Sequence, residues 1–525
     1  MILNKIKTTA ICASLFFAAS CTDRFEEINS NPNGVADDIL VQDFNNIKAP
    51  FSVMFNNVIM FSPDYQVQQG LQGDVWSGYM ATPTGFRGGS NNTTYDLVDG
   101  WNGVAWGTAY GNVMAKALKV EQKAKGKYDE FYALSLIIKV VAMQRITDTY
   151  GPIVYSKFGT TDPIIGYDSQ EEVYNQMFKD LDFAVAELTS KIVSGQSKTK
   201  FTGTDMSAYD GDYNGWVKFA NSLRLRLAMR IVKKNPTLAK IEAEKAISNP
   251  IGVLMVKGDI CKIISPTLTH PIATISGAWG DIRMGADMES IMGGYADPRL
   301  ATYFVTSSQF SGQFKGVRTG IEIAAKSDHT GFSLIGPIIE RKEIVWMNPA
   351  EVYFLRAEGA LRGWNMGGTA QSLYEMGITA SFDQHGVSGA ASYITDNVKM
   401  AKAYVDPNFA VNNSPALNNV TIAWDGAATN EVSLQKIITQ KWIAGFPEGQ
   451  EAWSDYRRTG YPKLFPVLKN TSGGKIDSNL GVRRVNFVQS EKDGNPGGVA
   501  TGVTKLGGVD NGGTRLWWDT TGPNF

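Results

Sequence analysis

Apolar residues recur at three- and four-residue spacing along most of the chain, which predicts α-helices arriving in pairs. The first run, from 49 to about 81, is broken at Ser62-Pro63. Residues 101–125 and 128–149 read as two more helices. The second contains LSLIIKVVAM (134–143), apolar nearly all round; Lys139 and the shortness of the run make it a buried helix and not a membrane span. Ser169 with Glu172 forms a capping box for a helix reaching about 191. Trp216, Phe219, Ala220, Leu223, Leu227 and Ile231 share one helix face, with Arg224, Lys233 and Lys234 mostly off it. Asn235-Pro236 then supplies an N-cap and a first-turn proline for a helix to 247.

Between 250 and 347 the period dissolves into Gly, Ser, Met and short β-like runs. Asn348-Pro349-Ala350-Glu351 starts a further pair of helices, to about 364 and over 369–385. A polar stretch (388–429) leads to helices at 430–444 and 448–458. The last 65 or so residues are rich in Gly, poor in periodicity, and end RLWWD at 515–519. Helical pairs of 30–40 residues predict a mainly α fold: a tetratricopeptide-like helical-pair superhelix with a large loop-rich, partly irregular remainder. Ala370 and Tyr374 reproduce the Ala-x3-aromatic element of that repeat.

The first twenty residues stand apart from this pattern. Lys5 and Lys7 precede a short apolar stretch, ICASLFFAA (11–19), far below the ~20 residues of a membrane span. It reads as a cleaved export signal. Ala18-Ala19-Ser20-Cys21 resembles the lipobox of bacterial lipoproteins, in which the cysteine is acylated and becomes the new N-terminus, although Ala18 stands where Leu is more usual. Acyl chains, at ~0.8 kcal/mol per buried methylene, anchor a protein without a spanning helix. With Cys12 in the signal and Cys21 acylated, Cys261 alone remains, so no intramolecular disulfide is expected. The expected organisation is therefore a signal peptide (1–20), a lipidated tether (21–43) and a single domain (44–525). Within that domain, helical pairs occupy about 44–249 and 348–458, a loop-rich insertion 250–347, and a Gly-rich C-terminal region 459–525.

Composition narrows the chemistry. Fifty basic residues against fifty-one acidic ones exclude a nucleic-acid binder working through bulk positive charge. Three dispersed histidines, His270, His329 and His385, make a His-rich metal centre improbable, and no cofactor motif is present. DGDYNG (210–215) matches the first half of a calcium loop, but Asn221 stands where a bidentate Glu is needed, so it reads as a turn capping the following helix. Glu26-Glu27 and Glu171-Glu172 do not have the look of an acid–base couple. Arg457-Arg458 reads as a structural fork bonding carboxylates or helix ends.

Several blocks together carry a family resemblance. FEEINSNPN (25–33), ITDTYGPIVYSK (146–157), GWVKFANSLRLRLAMR (215–230), GGYADPRLATYF (293–304), NPAEVYFLRAEGAL (348–361), QKWIAGFPEGQEAWSDYRRTGYPKL (440–464) and LWWD (516–519) resemble, in order, the signatures of SusD/RagB-family lipoproteins, particularly the SusD-like branch. Two departures stand out: Ile153-Val154 lies where Pro is common, and NFVQSEKDGN (486–495) where a Tyr-Pro is frequent. The resemblance implies a non-enzymatic lipoprotein at the surface of the outer membrane of a Gram-negative bacterium. It would capture an oligosaccharide or polysaccharide, or sometimes a peptide, and pass it to a SusC-like TonB-dependent barrel. The alternatives are a surface glycoside hydrolase, or a structural transporter subunit without glycan affinity.

None of these signatures names a ligand contact. Sugar rings pack their C–H faces on flat aromatics and direct hydroxyls at amides or guanidinium groups, and loops outside the helical pairs would carry such a platform. Trp279, in the Gly/Ser-rich insertion, is the first candidate. Trp76, Phe86, Arg87, Asn91 and Asn92, in or beside the Gly/Asn-rich 82–95 loop, come second.

Overall fold

The paired helices form, and most are started by a side chain visible in the sequence. The computed structural model of the protein describes residues 42–196 and 201–525, and Ala49–Phe525 makes one compact unit. The expected signal segment, Cys21 and nearly all of the tether lie outside the described residues. Asp129–Tyr150 packs on Gln170–Val193, which packs on Tyr213–Arg230, which packs in turn on Pro236–Ser248. Pro349–Leu361 pairs with Ala370–His385 and leans on Asn430–Gly445. This is a tetratricopeptide-like succession of helical pairs. Ser169 and Glu172 close their capping box, Asn348 accepts from the Glu351 N–H (2.8 Å), and Asn235 from that of Leu238 (3.1 Å). In the DGDYNG turn, Asp212 accepts the Asn214 N–H (3.0 Å) and opens the helix Tyr213–Arg230.

Three stretches differ from the reading of the sequence. The run over 49–81 is not one interrupted helix: it divides into Asn45–Val58, a π-helical turn at Gln66–Gly70 and a single turn at Gly73–Trp76. The helix expected over 101–125 carries a π-helical segment, Ala109–Met114, between Asp99–Thr108 and Ala115–Ala124. The C-terminal region contains a further helix, Pro496–Leu506, capped by Asn495; its three glycines hide it from any periodicity test. The 134–143 stretch is buried along its length except at Lys139, whose ammonium pairs with Asp180 (2.7 Å). Among the described residues no helix is long and apolar enough to cross a membrane.

A larger correction concerns the helix Tyr213–Arg230. It has no polar outer face, for Arg224, Arg226 and Arg230 are all buried. Arg224 bonds Glu242 and Asp182. Arg226 grips Glu351 with two bonds (2.8 and 2.7 Å), and Arg230 reaches Glu451 (2.6 Å), Asp455 (3.4 Å) and Asp148 (3.3 Å). Lys441 sits against Glu351, Glu451 and Asp455. Arg458 and Arg362 share Glu358, Arg458 through a bidentate pair at 2.7 and 2.8 Å. Arg226, Arg230, Lys441, Arg458 and Arg362 thus face Asp148, Glu351, Glu358, Glu451 and Asp455, five charges against five.

The helix Gly449–Thr459, which supplies three members of this cluster, is seated by a close backbone crossing. A Cβ on Gly449 would stand 2.4 Å from the Asp74 Cα, and one on Gly73 2.8 Å from Gln450, so both positions require glycine. Asp74 is fully buried there, accepting from Tyr65 (2.7 Å), Gln69 (2.8 Å) and the Gly449 N–H (3.2 Å).

Breaking the charge cluster on one side should be costly. Glu358→Ala leaves Arg458 buried without its bidentate partner, with only the longer contact to Asp455 (3.3 Å) remaining, and should lower the unfolding free energy by about 3–5 kcal/mol in denaturant titration. A loss near zero would show that the pair is not desolvated.

A pH dependence follows from the buried acids. Burial pushes the Asp74 carboxyl up to about 7 despite its hydrogen bonds from Gln69 and Tyr65, with Glu448 adding to the rise and Arg145 opposing it. Burial likewise pushes Asp287 up to about 7 despite the Phe465 N–H and Arg318. Between their ordinary value of 3.8 and about 7 the folded chain holds protons that the unfolded chain has lost, so stability falls as pH rises through that window. Glu358 behaves oppositely: burial works to raise it, but Arg458 and Arg362 hold it at about 2, and its contribution is lost only as pH drops through that value. Buried His270 and His385, both held at about 3 by desolvation, push the other way as the unfolded imidazoles lose their protons near 6.5. The aspartates are therefore read by difference: removing them in the double variant Asp74→Asn, Asp287→Asn should make the slope of unfolding free energy between pH 5 and pH 7 more positive than in the parent. An unchanged slope in that variant would assign the titration to other groups.

Candidate functional site

A two-rung sheet decides which surface loops meet. Met80–Ala81 pairs antiparallel with Arg283–Met284, Met80 opposite Met284 and Ala81 opposite Arg283. In this register the loop leaving Ala81 and the turn running into Arg283 emerge at the same end. The second sheet, Cys261–Ile264 against Glu343–Met347, closes the base of the 250–347 insertion.

The turn before Arg283 presents Trp279. His270-Pro271 opens it, with the His270 imidazole accepting the Ile272 N–H (3.3 Å). A π-helical turn over Thr274–Ala278 follows. The Trp279 N–H then closes on the Thr274 carbonyl (2.9 Å) and the Asp281 N–H on that of Ile275 (2.9 Å). Gly280, at φ 64°, permits the reversal. Arg283 fastens the turn from below through the Ser276 and Thr330 carbonyls. The indole is left 43% exposed.

The loop leaving Ala81 presents Phe86 and Arg87. Phe86 stands edge-on to Trp101, ring centres 5.6 Å apart, both half-buried. Arg87 is exposed in a left-handed conformation (φ 54°), a strained setting for a residue with a side chain, and Gly88 and Gly89 continue the left-handed turn. Asp281 joins the two loops. It accepts from the Thr84 hydroxyl (2.6 Å), from Gln66 (3.2 Å) and from the Lys326 ammonium (2.6 Å), and that same ammonium donates to the Trp279 carbonyl (2.7 Å).

Trp279 and Arg87 are thus exposed and Phe86 half-buried, on two loops bonded to each other through Thr84 and Asp281, while the other three expected contacts lie inside. Trp76 is 7% exposed, donates its indole N–H to the Asn92 carbonyl (3.0 Å) and packs on Trp453. Asn91 accepts from Thr93 and donates to the Phe86 carbonyl (2.9 Å). The Asn92 amide bonds Asn102 (2.8 Å) and the Val98 N–H (2.9 Å). Polar groups already engaged and cut off from solvent have nothing to offer a ligand. These three residues build the loop. Sequence reasoning missed Trp101, Asp281 and Lys326. Only Asp281, two residues beyond Trp279, carried a local signal.

A cavity lies elsewhere among the described residues. About 120 Å³ lies beside the charge cluster, walled by Tyr65, Tyr79, Trp346, Trp442 and Phe446 and floored by Lys441. That volume suits about four waters and falls well below the ~300–1,000 Å³ of ligand pockets. It contains none of the expected contacts.

A helical-pair scaffold that carries an exposed tryptophan on its irregular insertion and an exposed arginine on a second loop has the features of a binding protein. Comparison with known proteins gives the family. The family model for SusD-like, SusD and RagB outer membrane lipoproteins matches residues 27–519, and the chain belongs to that family. A chitin-binding SusD homologue from Flavobacterium johnsoniae is 69% identical, with 91% of this chain and 100% of that one covered and a TM-score of 0.90. A SusD homologue from Bacteroides vulgatus is 38% identical over 92% and 99% of the two chains, TM-score 0.87. A SusD-like protein from Bacteroides thetaiotaomicron is 33% identical over 90% and 98%, TM-score 0.85. No curated protein sequence matches the chain.

The two tryptophans should separate cleanly by stability. Trp76→Ala should cost about 3–5 kcal/mol of folding free energy, as core aromatics do, whereas Trp279→Ala should stay within about 0.5 kcal/mol of the parent. Thermal and denaturant melts of the two variants check this, and a large loss for Trp279→Ala would move that side chain into the core.

Proposed function

We propose that the protein is a non-enzymatic glycan-binding lipoprotein of the outer membrane surface, and that its ligand is an N-acetylglucosamine polymer of the chitin type. The exposed Trp279, on a turn bonded through Asp281 and Thr84 to the loop that carries Phe86 and Arg87, carries the reading. An indole face suits the C–H face of a pyranose, and Arg87 can donate to hydroxyl or acetamido oxygens. The description of the Flavobacterium johnsoniae homologue as chitin-binding favours this polymer over other glycans. Capture would be reversible, with no bond made or broken. Asp281, two residues beyond Trp279, already accepts from three donors, an arrangement suited to holding loops.

In this reading Cys21 is acylated and anchors the chain through the tether 21–43. A lipid-anchored binder has no route of its own for moving ligand inward, so hand-over falls to a SusC-like TonB-dependent barrel.

Calorimetry of the mature chain with chitooligosaccharides, against maltooligosaccharides and cellooligosaccharides, tests the reading. Binding should be selective for the chitin series, should weaken at least about tenfold in Trp279→Ala (~1.4 kcal/mol), and should release no new reducing ends. Absence of binding to every series, or release of sugar, would overturn it.

A further inference from the structure

Trp279 and the Phe86–Arg87 turn come from segments about 190 residues apart, and each is built to stand alone. The Trp279 turn is closed by its own backbone bonds to Thr274 and Ile275 and fastened below by Arg283. The other loop is closed by Asn91 and Thr94. Neither closure uses the Asp281 side chain. What that carboxylate does is receive donors from three separate places: Gln66 from the body, Thr84 from one loop, and Lys326 from the segment that also holds the Trp279 carbonyl. It is largely shielded, at 14% side-chain exposure, so its ion pair with Lys326 is less screened than an open surface pair.

We infer that Asp281 is a positioning residue which locks the two loops into one continuous platform, so that the site reads a glycan chain long enough to touch both halves. This rests on the binding reading above. Two half-sites held in fixed relation convert the second contact of a chain into an intramolecular one, and the gain disappears when the relation is lost. A short ligand occupying only the Trp279 half needs no such relation.

The test uses the mature chain, chitobiose and chitohexaose as probes, and calorimetric affinities. In the parent, affinity should rise by roughly a hundredfold from chitobiose to chitohexaose. Asp281→Ala should leave chitobiose affinity within about twofold and remove at least about tenfold of the chitohexaose gain. Its melting temperature should stay within about 2 °C. Asp281→Asn keeps an oxygen for Thr84 and should recover part of the gain. Thr84→Val, which removes a single hydroxyl, should lose a smaller part in the same direction.

Parent-like length dependence in Asp281→Ala and Thr84→Val would overturn the inference. So would equal loss on both probes with a collapsed melt, since that assigns Asp281 to folding. Trp279→Ala separates the two levels. If it leaves chitohexaose binding untouched, the platform itself is wrong. If it weakens binding while Asp281→Ala does not, only the coupling is wrong.

Discussion

Four buried cations, with the half-buried Arg362 at their edge, face five buried carboxylates and hold the helical body in register. Asp148 comes from Asp129–Tyr150 and Arg226 and Arg230 from Tyr213–Arg230. Glu351 and Glu358 come from Pro349–Leu361, Lys441 from Asn430–Gly445, and Glu451, Asp455 and Arg458 from Gly449–Thr459. Each charge taken out of water costs several kcal/mol, offset only where the partner meets it with good geometry. The bidentate pairs Arg226–Glu351 and Arg458–Glu358 have that geometry. A helix sliding by one residue would strand an ion, whereas a purely apolar interface would tolerate the slip. The terminal RLWWD segment completes the arrangement: the Trp518 indole donates to Asp148 (2.8 Å), and Asp519 neutralises Arg483.

A body fixed in this way can support surface loops that have little regular structure of their own. The charge cluster seats Gly449–Thr459, and the Gly73–Gly449 crossing places the segment that runs through Gly78 into Met80–Ala81. Those two residues choose their partner strand, and the partner strand brings in Trp279. Order at the surface is thus inherited from the interior through one short sheet.

This chain of dependence explains what could be read from the sequence. The helical pairs were legible because burial on one face imposes a period, and because Ser169, Asn235 and Asn348 advertise their caps. Arg224 was read only as lying off the apolar face, and Arg226 and Arg230 were not placed, because an arginine's sign says nothing about its burial; the acids that neutralise Arg226 and Arg230 lie 82 or more residues away, on other helices. Pro496–Leu506 was hidden by its glycines. Trp279 was found because an aromatic in a Gly/Ser-rich stretch has few core neighbours within reach. Trp76 and Asn92 looked similar, yet the loop closes over them, and that closure depends on Asn102 and Trp453, which no local pattern connects to them.

The same reasoning bears on how one scaffold accommodates different ligands. The residues that hold the interior together must match across five helices at once, so a change at any of them is penalised by an unpaired buried charge. The residues that face outward at Trp279, Phe86 and Arg87 make few such commitments: the Trp279 turn is closed by main-chain bonds indifferent to side-chain identity, and the Phe86–Arg87 loop by Asn91 and Thr94 behind it, so neither closure uses the outward side chains. Recognition can therefore be altered by substitution at the turn tips while the frame stays intact. Beyond the short sheet and the Arg283 bonds, the side-chain link between the two loops is polar, the convergence of three donors on Asp281, and it bears on where the tips stand relative to each other and leaves open what they are.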